Sequence, residues 1–320
     1  MLGIHTVYTP VNRRGTHKIH DMMQFESLTM ILSALFWKKF QGPIKLYCDR
    51  DFYEYIQLLG VTDLWDEIDT DTLSQLDPDV NHDTFWAYSK MYVNSLQTEP
   101  FVSLDIDLFQ ADYYDYTTHD VVFSHIEKTD NRFDTPLNFS RPIYYPNYHT
   151  WGMFKNRFSK YPEIEIGEEA INVAVLAINK PEMYKEFMEF VDSFVQDNWF
   201  DPQEIETHGF ERILTTVHSS SLITFVEQRL LASFVKSKGY STKSILNLVY
   251  DGGDQCWIGG DMINPNITHL WGWKTSYRTP ELEADRLALT DSLLSTLKDH
   301  FSDSYTKYIK RGNILKYCER

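Results

Sequence analysis

The stretch PFVSLDIDLFQ, over residues 100–110, places two aspartates inside an otherwise apolar run. The segment 101–104 suits a buried strand, Asp105 and Asp107 follow it, and apolar residues then resume. A carboxylate at the end of a buried strand must be solvated, paired or bound to a metal ion. The apolar setting of these two aspartates makes them candidates for a metal site. The alternative is that the two side chains only cap a turn.

The tripeptide Asp-x-Asp is by itself a weak signal, because the chain has 46 acidic residues in 320. It also occurs at Asp49/Asp51, Asp69/Asp71 and Asp77/Asp79. The last two pairs lie in IDTDTLSQLDPDVNHD, a polar stretch with a proline that is typical of a solvated loop. Asp49/Asp51 follows the strand-like PIKLYC and is the main rival.

Composition narrows the class of protein. The hydrophobic content of 42% and the charged content of 24% are ordinary for a globular protein. The formal net charge of −16 disfavours general nucleic-acid binding, because an acidic protein does not attract polyanions. Cys48, Cys256 and Cys318 form no CxxC motif, which fits a reducing compartment. With no run that suits a signal peptide or a membrane span, we expect a cytoplasmic protein.

Strand-like and helix-like segments alternate in the first third of the chain. The patterns predict strands over 3–9, 44–48, 65–68 and 101–104, and helices over 20–40, 51–59 and 84–97. Such alternation indicates an α/β fold with a parallel sheet and right-handed crossovers. Ligands of such sheets bind beyond the carboxyl ends of the strands, which is where Asp105 and Asp107 lie.

The remainder of the chain is less regular. We predict strands over 121–125 and 170–178, and helices over 181–194 and 221–238. A long C-terminal helix is expected to start at Pro280. The expected organisation is one domain over residues 1–275, followed by a helical extension over 276–320.

A second motif, THLWGWKT, has the spacing H-x-x-G-x-K at His269, Gly272 and Lys274. A neutral imidazole can complete a metal site that carboxylates begin. A glycine lets the backbone approach a ligand closely, and a lysine meets a phosphate as a point charge. Their combination within six residues favours a site for a metal ion or a phosphate.

In the order of these motifs the chain resembles the GT-A-fold glycosyltransferases, and in particular the retaining enzymes of the glycogenin and bacterial lipopolysaccharide galactosyltransferase type. The resemblance covers most of residues 1–275, as an order of short motifs. It implies a GT-A-like, Rossmann-type mixed sheet flanked by helices. It also implies a nucleotide-diphosphate sugar as donor, favouring a UDP-sugar, a Mn²⁺ or Mg²⁺ ion that stabilises the diphosphate leaving group, and weakly favours retention of anomeric configuration.

The resemblance also implies roles for individual residues. It makes Asp105, Asp107 and His269 the metal ligands, with Asp105 also near the ribose. It assigns Glu227 and Gln228 to the neighbourhood of the reacting carbon, although Arg229 stands where the family commonly has another acid. The remaining residues implied to contact the donor are Thr6, Tyr8, Thr9, Lys90, Asn172, Gly272 and Lys274.

Two other functions stay open at the level of sequence. A nucleotidyltransferase would use a related sheet, but the loop TPVNRRGTHK has only one glycine to cradle phosphates. The other alternative is a non-catalytic protein of the same fold, which would bind nucleotides or sugars but would not catalyse a reaction. The acceptor is expected to be a hydroxyl of a glycan, a lipid-linked sugar, a protein or a modified base. The tail KYIKRGNILKYCER suggests weak peripheral membrane contact as an alternative to a solvated chain end.

Overall fold

The computed structural model describes residues 1–9, 22–77, 80, 87–128, 164, 169–197, 225–246, 249–250, 267–270 and 278–318. The strands within these residues are short, with six residues at most. In chain order they are β1 Leu2–Val7, β2 Ile44–Cys48, β3 Glu67–Asp69, β4 Phe101–Leu104, β5 Leu108–Gln110, β6 Val121–Phe123, β7 Ile126–Lys128, β8 Glu169–Ile171, β9 Val175–Ile178, β10 Thr242–Ser244, β11 Val249–Tyr250 and β12 Ile267–His269.

Helices precede or follow most of these strands. They are α1 Gln24–Phe40, α2 Arg50–Leu59, α3 Tyr88–Ser95, α4 Pro181–Asp197, α5 Leu231–Ser237, α6 Glu283–His300, α7 Ser302–Tyr305 and α8 Ile314–Tyr317. In the described part of the chain, two segments are π-helical, Phe225–Leu230 and Thr306–Lys310, and short 3₁₀ turns cover Thr62–Leu64, Thr72–Gln75 and Pro280–Leu282.

The chain divides into two compact units. The first contains Met1–Gln75, Phe101–Tyr116 and Gln255–Arg320, and the second contains Leu76–Pro100 and Thr117–Asp254. The two units are groups of residues that pack together, and each contains segments that are far apart in sequence. The predicted domain boundary between residues 275 and 276 stays a prediction.

The first unit is built on parallel strands in the order β4-β1-β2-β3. β1 lies at the centre, with His5 beside Leu104 of β4 on one side and beside Leu46 of β2 on the other. All four residues of β4 are buried, which explains its unbroken apolar sequence. A separate antiparallel pair joins β12 to β5.

The second unit pairs its strands in both orientations. β6 is parallel to β10 and antiparallel to β9, while β7 is parallel to β11 and antiparallel to β8. Helix α3 packs on α4. With four parallel strands and one antiparallel pair in the first unit, and mixed pairing here, the predicted α/β class with a mixed sheet flanked by helices is confirmed.

One predicted element of the second unit is wrong. The apolar segment 170–178 is not a single strand, because residues 172–174 interrupt it between β8 and β9. The side-chain oxygen of Asn172 accepts a hydrogen bond from the backbone N–H of Ala174, at 3.1 Å. This local bond replaces a ladder interaction and turns the chain, as short polar side chains often do.

The predicted helix over 221–238 also needs correction where the structure describes it. Residues 225–230 are π-helical, and a regular α-helix forms only from Leu231 to Ser237. A π-helical turn contains more residues than an α-helical turn, so side chains that precede it take a different direction from those of a continuous α-helix.

The C-terminal tail is a packed part of the first unit. Tyr308 and Ile314 are buried, and the Tyr308 hydroxyl donates to Asp63 at 2.8 Å. The carbonyl of Cys318 accepts a hydrogen bond from the side chain of Gln24 on α1. Two apolar residues that membrane contact could have used are thus buried, and that contact stays a prediction. Among the described residues, no helix is both long and apolar enough to span a membrane.

Gly3 of β1 should be one of the most sensitive positions of the first unit. A Cβ atom there would overlap the indole of Trp37, which is 3% exposed and donates its N–H to the Pro43 carbonyl at 3.0 Å. We expect Gly3→Ala to lower the free energy of unfolding by about 3 kcal/mol, at the upper end for an overpacked core. Urea denaturation measures this loss.

Gly60→Ala is the matched control, because a Cβ there meets no atom within 4 Å and only the backbone, at φ 75°, is strained. It should cost about 1 kcal/mol. In the background of Trp37→Leu, Gly3→Ala should become much less costly. Equal costs of Gly3→Ala in the two backgrounds would show that contact with the indole is not the cause.

Candidate metal centre

A tight turn brings Asp105 and Asp107 together. β4 ends at Leu104, and the N–H of Leu108 donates to the carbonyl of Asp105 at 3.1 Å. The chain therefore reverses locally before β5 begins, so the two carboxylates are not held on opposite faces, as they would be in a regular strand. The expectation that the end of the strand lets both reach one ligand is consistent with this turn.

His269 reaches the same place through β12. In the antiparallel pair, His269 lies beside Leu108, and the N–H of Leu270 donates to the carbonyl of Asp107 at 3.0 Å. The backbone of the acidic turn is thus tied to the segment that carries the imidazole. Residues far apart in sequence are joined here by main-chain pairing rather than by side-chain contact alone.

The three side chains form a compact set of metal-binding groups. One donor atom from each of Asp105, Asp107 and His269 lies within 4.8 Å of the other two. The Nε2 atom of His269 is 3.9 Å from an oxygen of Asp105 and 3.8 Å from one of Asp107. Asp107 is 5% exposed, while Asp105 is more open.

These residues fit a hard or borderline divalent cation. Two donors on one octahedral ion with bonds of about 2.1 Å are separated by roughly 3.0 Å when adjacent and 4.2 Å when opposite. The observed separations of 3.8 and 3.9 Å lie between these two values. Two carboxylates and one neutral imidazole are a donor set that suits Mn²⁺ and, less closely, Mg²⁺.

The rival pair at Asp49 has a structural role instead. Asp49 precedes α2, and one of its oxygens accepts from the N–H of Phe52 at 2.9 Å. Its other oxygen accepts from both the N–H and the hydroxyl of Thr9, each at 2.6 Å. Asp49 therefore caps a helix and binds the end of β1. Asp51 is exposed.

Asp69 also has a structural role, because its side chain stabilises a turn. Its oxygens accept from the N–H groups of Asp71 and Thr72 and from the Thr72 hydroxyl. Partial burial opposes ionisation, but the hydrogen bonds from Thr72 and Asp71 and the positive charge of Lys45 together lower the pKa of Asp69. Asp79, the second member of the remaining pair, lies outside the described residues.

The carboxyl end of β1 lies beside the acidic turn, because β1 and β4 run parallel in register. The Thr6 hydroxyl is buried and has no hydrogen-bond partner among the residues that the structure describes. Such a group is rare in folded proteins and indicates a place where a ligand or a water can bind. Tyr8 is half-buried, and partial burial together with Asp49 raises its pKa. Both donor groups of Thr9 are used by Asp49.

A buried histidine of β1 interacts with this centre, and the sequence patterns did not single it out. Trp65 donates its indole N–H to Nδ1 of His5 at 3.1 Å, and Nε2 lies 3.0 Å from the Ser33 hydroxyl. Because Nδ1 accepts, Nε2 must carry the proton of the neutral ring. Complete burial lowers the pKa of His5 to about 3, and the negative charge of Asp107 opposes this shift only in part.

The other residues implied by the resemblance fall into two groups. In the second unit, Lys90 Nζ is 2.7 Å from Glu227 Oε1 and 3.5 Å from the carbonyl of Val173, next to Asn172. Lys90, Glu227 and the strand break are thus brought together. Gln228 follows Glu227 and is less buried. Gly272 and Lys274 lie outside the described residues, so their placement stays a prediction.

Comparison with protein families gives one match, to a family of unknown function, DUF6734, over residues 12–307. The chain belongs to this family. The match covers the second unit and most of the first, but it leaves out β1 and residues 308–320. A search of curated proteins gives no match.

Several solved structures are similar to this family member at low identity. The apo form of mouse xyloside xylosyltransferase 1 is 9% identical, with a TM-score of 0.36, over 96% of this chain and 92% of that one. The galactosyltransferase LgtC with donor and acceptor sugar analogues is 10% identical, with a TM-score of 0.31, over 76% and 73%. The inositol-1-phosphate CTP transferase from T. maritima is 13% identical, with a TM-score of 0.36, over 91% and 95%.

Proposed function

We propose that the protein is a metal-dependent glycosyltransferase, which transfers a sugar from a nucleotide-diphosphate sugar to a hydroxyl acceptor. The observation that carries this proposal is the convergence of Asp105, Asp107 and His269 at the carboxyl edge of parallel strands. Ligands of α/β proteins bind at that edge. When bound, a divalent ion there would supply Lewis-acid stabilisation of a diphosphate leaving group.

The chemistry of such a transfer sets what the chain must do. The bond between the anomeric carbon and the diphosphate oxygen breaks, and its electron pair leaves with the diphosphate. A new bond forms between that carbon and the acceptor oxygen, whose proton passes to the solvent or to the departing diphosphate. The chain must therefore orient the donor, hold its diphosphate at the acidic turn and limit access of water to the sugar.

The end of β1 offers groups that suit the nucleoside part of the donor. Thr6 has a buried hydroxyl with unused hydrogen-bonding capacity within the described chain, and Tyr8 has a ring at the same edge of the sheet. An aromatic face can stack on a base, and a hydroxyl can bond to the ribose or the base. We assign Thr6 and Tyr8 to this role, and we give Thr9 the task of fixing the loop through Asp49.

A thermal-shift screen of nucleoside diphosphates and nucleotide sugars, with Mn²⁺ or with EDTA, tests this function. A ligand that binds the native state at about 100 times its Kd stabilises it by about 2.7 kcal/mol. We expect one nucleoside diphosphate to raise Tm in Mn²⁺ only, and His269→Ala to remove most of that rise. A coupled assay of donor hydrolysis and transfer then identifies the sugar.

The control for this screen is Asp71→Asn, which alters an exposed carboxyl in the same unit. It should respond to Mn²⁺ and nucleotide as the wild type does. A nucleotide-dependent rise in Tm that is equal in Mn²⁺ and EDTA would contradict the metal assignment. No rise with any nucleoside diphosphate or nucleotide sugar would contradict the proposed function as a whole.

A further inference from the structure

The C-terminal segment of the first unit differs in charge from the rest of the chain. Residues 304–318 contain four basic residues and no acidic one, although the chain has 46 acidic residues and a net charge of −16. Within this segment lie the π-helical stretch Thr306–Lys310 and the short helix α8. It is therefore a basic segment on an otherwise acidic protein.

One side of this segment packs against the first unit. Tyr308, Ile314 and Cys318 are all buried. Residues four positions apart lie on the same face of a helix, so Ile314 and Cys318 face inward together. The side chain of Asn313 donates to the carbonyl of Leu58 at 2.8 Å, which fixes the start of α8 beside the end of α2. The inward face of α8 is thus set by packing and by this hydrogen bond.

The other side of α8 carries apolar groups that folding leaves exposed. Leu315 is 52% exposed, Tyr317 is 36% exposed, and Lys316 between them is exposed as well. Leu58, at the neighbouring end of α2, is 40% exposed. Of five large apolar or aromatic side chains that are exposed in the described part of the chain, three lie at α8 or beside it. A single exposed leucine is ordinary on a protein surface, whereas a group of exposed apolar residues indicates an interaction surface.

Basic side chains without a carboxylate partner accompany these apolar groups. Lys307 is neutralised by Asp63, and Glu54 is the exposed acidic residue nearest to Leu58 in sequence. The exposed basic residues that form no ion pair with any described residue are Lys310, Arg311 and Lys316. Three cations and one carboxylate leave this area positive. We refer to six residues as the α8 surface: Leu58, Lys310, Arg311, Leu315, Lys316 and Tyr317.

We propose that the α8 surface docks the protein on a lipid bilayer that contains anionic phospholipids. Leucine and tyrosine side chains enter the boundary between headgroups and acyl chains, and lysine and arginine are attracted to the negative surface of such a bilayer. A nucleic acid would account for the cations but not for the exposed leucines. An apolar protein partner would account for the leucines but not for the charge. Both features on one surface favour the bilayer.

This docking uses other residues than the tail sequence suggested. Tyr308 and Ile314 are buried and hold the segment in place, while Leu315 and Tyr317 are available to lipid. The docking does not depend on the proposed glycosyl transfer, because none of the residues of the α8 surface belongs to the candidate metal centre.

Co-sedimentation of the full chain with vesicles tests the proposal. We expect the wild type to bind vesicles of phosphatidylcholine mixed with phosphatidylserine, to bind pure phosphatidylcholine vesicles much more weakly, and to be released by high salt. Lys310→Gln/Arg311→Gln/Lys316→Gln should lower the partition coefficient on the mixed vesicles about 100-fold, or about fivefold per cation. Leu315→Ser/Tyr317→Ser should lower it about tenfold, because less apolar surface then enters the bilayer.

The control is Lys185→Gln/Lys236→Gln/Lys298→Gln, which changes the net charge equally at three exposed lysines outside the α8 surface. It should bind the mixed vesicles within about twofold of the wild type, because these lysines do not face the lipid. The variant at Leu315 and Tyr317 should keep the wild-type Tm, since both side chains are exposed. Its weaker binding would then not result from unfolding.

Several results would overturn the proposal. One is a wild type that does not bind the mixed vesicles at low salt, and another is an equal loss of binding in both triple variants. A wild-type dimer that Leu315→Ser/Tyr317→Ser converts to a monomer, without binding to vesicles, would assign the α8 surface to a second copy of the chain. Binding of a short RNA that requires the three cations, again without binding to vesicles, would assign it to a nucleic acid.

Discussion

Asp107→Asn is expected to lower the rate of sugar transfer about 1,000-fold while leaving the protein folded. Loss of a metal ligand removes several kcal/mol of charge stabilisation from the transition state, and each 1.36 kcal/mol corresponds to a factor of about ten in rate. The amide keeps the size of the carboxyl group, so the turn and its pairing with β12 should remain. The measurements are kcat with saturating Mn²⁺ and the Mn²⁺-dependent change in Tm.

The stability of the metal-free protein provides an internal check on this variant. Asp105 and Asp107 are like charges within one small cluster, and Asp107 is 5% exposed. Neutralising one of them removes repulsion and the cost of a buried charge, so without metal the Tm should be unchanged or higher. With Mn²⁺ the order should reverse, because under the proposed function the wild type would bind the ion more tightly than the variant.

The control for Asp107→Asn is again Asp71→Asn, the same chemical change at an exposed Asp-x-Asp of the first unit. It should retain wild-type rates and the wild-type response to Mn²⁺. A variant at position 107 with normal transfer and a normal Mn²⁺ response would remove the basis of the metal assignment.

Much of the first unit could be predicted from sequence, because its signals are local. The strand 44–48 has the observed bounds, and β4 and the helix before β2 lie where periodicity predicted them. The carboxyl ends of parallel strands share one edge, so sequence patterns alone suffice to place the acidic turn at the edge where ligands of such sheets bind. Placing His269 beside the two aspartates required the resemblance to a known family. His269 pairs with Leu108, which is far away in sequence, and local sequence patterns do not show such a pairing.

The second unit was harder to predict, for physical reasons. The segment AINVAVLAI is almost uniformly apolar, so its pattern cannot show that the Asn172 side chain replaces a ladder bond. Six residues are also too few for apolar spacing to distinguish a π-helical turn from an α-helical one. Lys90 contacts both of these irregular segments, through Glu227 and through the carbonyl of Val173, and sequence spacing does not indicate this proximity.

His5 was missed although its sequence carries a signal. It is a polar residue within the buried strand LGIHTV, and such a side chain needs a partner. Its partners Ser33 and Trp65 lie in distant segments, which sequence patterns do not connect. The sequence of this strand could thus indicate a buried histidine that needs a hydrogen-bond partner. Only the three-dimensional packing shows that the histidine is neutral.

The burial of His5 should make the protein sensitive to acid. Its pKa is lowered from 6.5 to about 3 in the folded state by burial, so between these values the unfolded chain binds a proton that the folded chain does not. The stability that His5 contributes is therefore full above pH 6.5 and is lost as pH falls toward 3. Integration of this difference gives a loss of about 3 kcal/mol between pH 7 and pH 4.

Comparison of His5→Gln with the wild type isolates this loss, because the acidic residues titrate in both proteins. Urea denaturation at pH 7 and pH 4 should show a pH-dependent loss that is smaller by about 3 kcal/mol in His5→Gln, even if the variant is less stable at pH 7. Ser33→Ala is the control, since Ser33 accepts from Nε2 whether or not Nδ1 is protonated. It should be destabilised to a similar extent at both pH values and keep the wild-type pH dependence. Equal pH dependence in His5→Gln and the wild type would show that the imidazole is not the acid-sensitive group, and that burial does not hold it neutral in the folded protein.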